Sequence, residues 1–348
     1  MWELSPGVLA ALVGLGGGIV LGLAARLGDF CTLGALEAAT YGNDQRRLRL
    51  WGVVLGVAIL GTFLAEALGF AAPDQTFYHT IAWNPVASVV GGLVFGYGMA
   101  LAGNCGFGAL VRFGGGDLRS LVIVVVIGIF AFVTMSGLLA PLRSALFPQV
   151  PAEGTQGIAH WLSERTGLPS LTFAAPFGTA ALFWALSHAP LRQRPKQIGW
   201  GVAAGLAVVW CFVGTTWVSD VSFGEVGVEG PSFTAPLGRT IIFFMTSTAG
   251  GITFSVGMVA GVLAGAFAGS TIRGLFRWEA CEDPRELGRQ VSGAALMGVG
   301  GSLALGCSVG QGVTAMSTLA VSAPVTLAAI AVGGLVGLRQ LIGGFHHG

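Results

Sequence analysis

Nine stretches of this chain are long and apolar enough to span a bilayer, and no other feature limits its fold so strongly. They lie at 7–28, 50–70, 85–103, 118–140, 170–189, 198–218, 251–272, 289–306 and 323–343. A spanning helix needs about 20 mostly apolar residues. In hydrocarbon each backbone N–H and C=O must find its partner inside the protein, so such segments become helices. Composition agrees: 53% of the 348 residues are apolar and only 9% are charged, against about 25% charged in soluble proteins. A soluble enzyme of this size could not cover its surface with so few charges. The net charge of +1 leaves no basic footprint for a nucleic acid. The chain is therefore expected to be an all-α integral membrane protein whose main neighbour is the lipid bilayer. The leader Met1-Trp2-Glu3-Leu4-Ser5-Pro6 lacks the basic n-region of a signal peptide, so the first stretch is expected to remain as a span.

Four shorter apolar pieces, at 31–41, 105–113, 233–247 and 307–318, are too short to cross. They are expected to be re-entrant half-helices, a form tolerated only inside protein or beside a wet cavity.

The basic residues set an orientation. With nine crossings, Arg46, Arg47, Arg49, Arg112, Arg119, Arg192, Arg194, Lys196, Arg273, Arg277, Arg285, Arg289 and Arg339 share one side. The opposite side carries only Arg143 and Arg165, both in the long 141–169 loop. The N-terminus is expected outside and the C-terminus in the cytoplasm.

The sequence also matches itself at an offset of 202. Gly91, Gly96, Gly98, Cys105 and Gly108 recur as Gly293, Gly298, Gly300, Cys307 and Gly310, and Gly28 and Thr32 recur as Gly230 and Thr234. Because the two copies run in opposite directions, an inverted pseudo-repeat is expected within a single transmembrane domain, 1–348. Repeat 1 covers about 7–140, a linking region about 141–197 and repeat 2 about 198–343. Transporters of this plan place their substrate near the midplane at the repeat interface. Two glycine stripes, Gly257/Gly261/Gly265/Gly269 and Gly18/Gly22, have the spacing that lets helix backbones approach closely.

Of the five cysteines, Cys211 lies within a span and Cys281 in the acidic stretch Glu279-Ala280-Cys281-Glu282-Asp283. Both are expected to be inert. No pair has CxxC spacing, which disfavours a dithiol centre or a bound metal. Cys31, Cys105 and Cys307 each open a half-helix, in Asp29-Phe30-Cys31-Thr32, Gly103-Asn104-Cys105-Gly106 and Gly306-Cys307-Ser308-Val309-Gly310-Gln311. A helix start offers unpaired N–H groups to an anion and favours thiolate over thiol. Three such thiols read either as a path for a sulfur-bearing anion or as packing cysteines.

These motifs and the glycine-rich helices around them resemble the YeeE/YedE family of bacterial sulfur-transport membrane proteins. The resemblance implies nine spans plus half-helices in an inverted repeat, in the inner membrane, importing thiosulfate or a related sulfur species. It also implies that Cys31, Cys105 and Cys307 pass the ion along by S–H···S hydrogen bonds. A small soluble sulfur-carrier protein of the TusA type would be the cytoplasmic partner, and no such domain is expected within this chain. The fourth half-helix carries Ser232-Phe233-Thr234 and no thiol. Further substrate contacts are expected from Asn104, Ser308, Gln311, Thr234 and Arg239, the last an intramembrane cation that an anion could use. No cofactor is expected, and the absence of a GxxxxGK[ST] loop argues against an ATPase in this chain. The alternative is a membrane sulfurtransferase that hands sulfane sulfur inward as a cysteine persulfide. Glu66 is expected at headgroup level.

The orientation is checked by a reporter fused after Arg194, which should be active only in its cytoplasmic form. A periplasmic signal would overturn both the orientation and the inverted relation of the halves.

Overall fold

A computed structural model describes residues 5–248, 250–280 and 283–343. Its regular structure is helical, and no strand occurs among the described residues. The helices are α1 (Pro6–Gly28), α2 (Thr32–Thr40), α3 (Arg46–Ala67), α4 (Phe77–Thr80), α5 (Pro85–Ala102), α6 (Gly106–Gly114), α7 (Leu118–Met135) and α8 (Ala140–Leu146). They continue with α9 (Ile158–Thr166), α10 (Ser170–Leu186), α11 (Ala189–Arg192), α12 (Pro195–Val221), α13 (Ala235–Thr246), α14 (Phe254–Ile272), α15 (Pro284–Leu303) and α16 (Ser322–Gly343).

Each expected span coincides with a helix. Seven helical segments are long and apolar enough to cross a membrane: α1 running into α2, α3, α5 running into α6, α7, α12, α14 and α16. The chain is a multi-pass, all-α membrane protein. The other two helices differ for visible reasons: α10 has 17 residues and an internal Pro176, and α15 begins with Arg285, Glu286 and Arg289. The expected half-helices are α2, α6, α13 and a short helix after Cys307 that widens into a π-helical turn at Gly310–Ala315.

Local chemistry explains the boundaries. Asn84 accepts from the Ala87 N–H at 3.1 Å and Pro85 opens α5; Asp117 caps α7 and Asp283 caps α15 in the same way. A side-chain oxygen satisfies an orphan N–H, and proline at the first position gives up a bond the helix never makes. Helix ends are as specific. Asp29 (φ 58°), Gly103 (φ 74°) and Leu305 (φ 55°) are all left-handed, and each stands two residues before one of the three cysteines. A left-handed residue stops a helix because it turns the next N–H away from the ladder. The chain then restarts as a new helix, with the cysteine at its cap.

Glycine sets the distances between helices. The two glycine stripes face each other. Gly18 and Gly22 of α1 lie against Met258, Gly261 and Val262 of α14, while Gly261 and Gly265 lie against the Leu15 and Ile19 carbonyls of α1. At the centre α5 crosses α15 antiparallel: Gly91 lies against Gly300, and Gly98 against Gly293. A β-carbon on Gly98 would sit 2.5 Å from the Gly293 carbonyl oxygen, and one on Gly293 would sit 2.6 Å from the Gly98 carbonyl oxygen. Bulkier residues would push these backbones apart, and association in lipid depends on such close packing. α3 packs on α10 and α12, α7 on α15 and α13, and α16 on α5.

Gly98→Ala should therefore cost about 1–3 kcal/mol by overpacking. Gly199→Ala, an exposed helix position with open space around it, should cost nothing and gain up to about 1 kcal/mol. Thermal unfolding of the purified protein in detergent measures both; equal stability of the two variants would refute the role of the crossing.

Candidate functional site

The left-handed stop and extended cap recur at each motif, so three thiols project from three helix starts toward the middle of the bundle. Cys105 has φ −89° and ψ 173°, and its sulfur accepts the Gly108 N–H at 3.4 Å. Cys307 accepts the Gly310 N–H and, from the segment that leads into α13 in the same half of the chain, the Phe233 N–H, both at 3.3 Å. Cys31 caps α2 without a side-chain capping bond of this geometry, although the Gly34 backbone lies beside its sulfur. Cys105 and Cys307 are buried and Cys31 is half-buried.

The motifs touch. Thr32 Oγ1 donates to Ser308 Oγ at 3.1 Å, linking the residues that follow Cys31 and Cys307. The Cys105 thiol stands beside both hydroxyls and neighbours Cys31 on one side and Cys307 on the other. A row of aromatic rings walls this core: Phe30 to Phe107 at 6.3 Å and Phe107 to Phe233 at 4.9 Å. Trp51 closes it behind Phe30 at 4.9 Å.

Two cavities approach the thiols from opposite ends and share no lining residue. One, of about 380 Å³, is lined by Arg143, Gln149, Ser232, Thr234, Arg239 and neighbouring apolar groups. On the sequence-based orientation it faces outward. The other, of about 330 Å³, holds Cys31 and Asn104 among Arg26, Arg47, Arg112 and Arg273, with Asp29 and Glu37 also on its wall. Cys105 and Cys307 are each 1% exposed, and no open connection joins the two cavities, which share no lining residue.

The remaining expected contacts divide. Asn104 Oδ1 and Thr234 Oγ1 are buried without partners, each at the wall of one cavity. Gln311 is committed to the backbone, donating to the Ala304 carbonyl at 2.8 Å and the Leu305 carbonyl at 3.3 Å, so it ties down the turn before Cys307. Arg239 lines the outer cavity but pairs with Glu229 at 3.0 Å and donates to Ser255 at 3.2 Å; Glu229 offsets much of its pull on an anion. Cys211 packs against Gly17 in the core, as expected. Cys281 lies outside the described residues. Among those residues no three His, Cys, Asp or Glu side chains converge as metal ligands.

Sequence reasoning overlooked Tyr78, and it named Ser232 and Arg143 without placing them at a cavity. Tyr78 lies on α4, in the segment between α3 and α5, and its hydroxyl lies over Gly306 and Gly310 at the start of the Cys307 helix. Burial, then the neighbouring Cys307, raises its pKa well above the usual tyrosine value, so it stays a neutral O–H donor. Arg143 was visible as one of two basic residues on an otherwise uncharged side, yet only the folded loop brings it to the cavity. Glu66 is tied into the protein by its neighbours. It accepts from Ser170 at 3.2 Å and pairs with His160 Nε2 at 3.0 Å. His160 stacks on the buried His79, ring centroids 5.3 Å apart. Burial, then His160, lowers the His79 pKa to about 3, so His79 is neutral at any physiological pH. This cluster fastens the 141–169 loop beside Tyr78.

Apolar helices packed on glycine, with buried polar groups and cavities between them, define a membrane transporter. A family model described as Sulphur transport matches residues 27–336, and the chain belongs to that family. It is similar to the thiosulfate transporter TsuA of Escherichia coli (strain K12), 24% identical over 331 residues, 88% of each chain. It is similar also to the thiosulfate transporter TsuA of Spirochaeta thermophila, 24% identical over 318 residues, 88% of this chain and 91% of the relative.

Accessibility fixes an order of reaction with a neutral maleimide. In a Cys281→Ser background Cys31 should be alkylated first, and Cys105, Cys211 and Cys307 only on unfolding, as peptide mass mapping would show. Rapid labelling of Cys307 in the folded protein would contradict this burial.

Proposed function

We propose that the protein imports thiosulfate across the bacterial inner membrane, with Cys31, Cys105 and Cys307 as successive partners of its terminal sulfur. The observation that carries this reading is the contact of three cysteine-capped helix starts between two arginine-bearing cavities. The named relatives supply the substrate by similarity. The inverted repeat is supported by the α5–α15 crossing. The offset that pairs Gly91 with Gly293 and Gly98 with Gly300 also exchanges the two contacts, as a two-fold axis requires.

Sulfate and thiosulfate share charge and approximate shape, so helix N-termini and arginines attract either. A narrow, mostly apolar passage separates them. A polar group stripped of water and left unpaired costs several kcal/mol, and the soft terminal sulfur of thiosulfate holds water less tightly than a sulfate oxygen. Thiols meet that sulfur with weak hydrogen bonds, Thr32 and Ser308 stand beside it, and Asn104 and Thr234 offer free polar atoms at either end. Weakness is required, since an ion held firmly at one thiol would not move to the next. Tyr78 and the aromatic row open and close around the ion. The cytoplasmic side, with the C-terminus, is the arginine-rich one, where a small soluble sulfur-carrier protein of the TusA type would collect the product.

The test is uptake of sulfur-labelled thiosulfate by cells lacking their own importers. Loss of one hydrogen bond of about 1–1.5 kcal/mol corresponds to roughly tenfold in rate. Cys31→Ala, Cys105→Ala and Cys307→Ala should each reduce uptake by at least that factor, while Cys211→Ala transports normally. Excess external sulfate should compete poorly. Full uptake by a triple Cys→Ser variant would end the relay, and a stable added-sulfur mass on any of the three cysteines would favour the sulfurtransferase.

A further inference from the structure

The cavity at Cys31 carries more positive charge than a passage for one ion requires. Arg26, Arg47, Arg112 and Arg273 all line it. Arg273 is engaged by Asp29 at 3.3 Å and by the Leu27 carbonyl at 2.6 Å. Arg26, Arg47 and Arg112 have no carboxylate within ion-pairing distance among the described residues. Arg26 faces Arg112 and Arg273 at close quarters, and its Nε is buried without a partner. Only Asp29, already paired, and Glu37 contribute negative charge to the wall; Asp117 and Glu279, farther off, are held by Arg119. Arg47 and Arg112 are exposed and Arg26 is half-buried; like charges gathered without partners repel one another even across solvent, and a counter-ion removes that cost. Asn104 is 2% exposed, and its unpartnered amide oxygen shows that the site's polar groups are not satisfied from within the fold.

The selectivity of three successive thiols is reduced here to that of one. Cys31 alone reaches this cavity, and the arginines read charge and the tetrahedral array of oxygens. We propose that this cavity is a separate binding site for tetrahedral oxyanion dianions of the sulfate and hydrogen phosphate class, held by Arg26, Arg47 and Arg112 beside Cys31. That it faces the cytosol rests on the proposed orientation; the binding itself does not. Occupied from the cytosolic side, the site blocks the last station of the passage, so abundant cellular dianions restrain release of the imported ion. The transporter then treats sulfate differently at its two faces: indifferent outside, inhibited inside.

The experiment reads Cys31 rather than transport. Full-length protein carrying Cys281→Ser is purified in detergent and alkylated with a neutral maleimide, in sodium sulfate or in sodium chloride of equal ionic strength. Sulfate and hydrogen phosphate should slow Cys31 labelling about fivefold or more and saturably, whereas chloride should not. Arg47→Gln and Arg112→Gln should each raise the half-protecting sulfate concentration about tenfold. Glu37→Gln should lower it, a change in the opposite sense that misfolding would not produce. Arg285→Gln, outside the cavity, should leave protection unchanged. Equal rates in sulfate and chloride would overturn the proposal, as would protection that survives both arginine replacements. Protection by thiosulfate alone would assign the cavity to the sulfur path and overturn it too. Failure of thiosulfate uptake with sulfate protection intact would count against the proposed transport function and leave this site standing.

Discussion

A helix of nine residues inside a bilayer starts with N–H groups that hydrocarbon cannot satisfy. This constraint governs the rest of the molecule. α2 and α6 are such helices, and both begin near the bundle centre. Their first donors must be met by protein, and at two of the three cysteine caps the acceptor is sulfur. The thiols are thus fixed by the same backbone requirement that makes the half-helices possible. Two residues before each thiol a left-handed residue ends the preceding helix, so stop, cap and thiol form one unit used three times.

Enclosing these starts requires long helices to approach closely, and glycine permits it. The α1–α14 and α5–α15 contacts place glycines directly on facing carbonyls. Side chains there would open gaps beside unsatisfied backbone, where each lost hydrogen bond is expensive. The abundance of glycine, 58 of 348 residues, is therefore a cost of building irregular backbone at membrane depth.

Charge follows the same geometry. Soft thiols and hydroxyls occupy the buried middle, and arginines stand at both mouths. On the proposed function, a dianion is drawn in at long range by charge and distinguished at short range by the affinity of its terminal atom for sulfur or for water. The two effects need different surroundings: strong hydration near the arginines, little near the thiols. The burial of Cys105 and Cys307 keeps them apart.

The apolar helices, the four short pieces and the three cysteine caps were legible in the sequence because each depends on local terms, hydrophobic length and proline and glycine at helix ends; seven of the nine expected spans meet the length and hydropathy that a crossing needs. The glycine stripes were legible as stripes, but that Gly18 faces Gly261 was not, since helix pairing is a choice among many equally apolar surfaces. Gln311 read as a substrate contact and turned out to hold a turn. Arg239 read as an intramembrane cation that an anion could use, and it is paired with Glu229, ten residues away on a loop whose path no local pattern specifies. Tyr78, Arg143 and the His79–His160–Glu66 cluster depend on how the 141–169 loop folds back over the bundle. The sequence by itself determined what crosses the membrane and where the thiols stand along the chain. Only the tertiary structure decided which polar groups remain unpaired, because pairing is set by distances between segments far apart in sequence, and those distances come from packing.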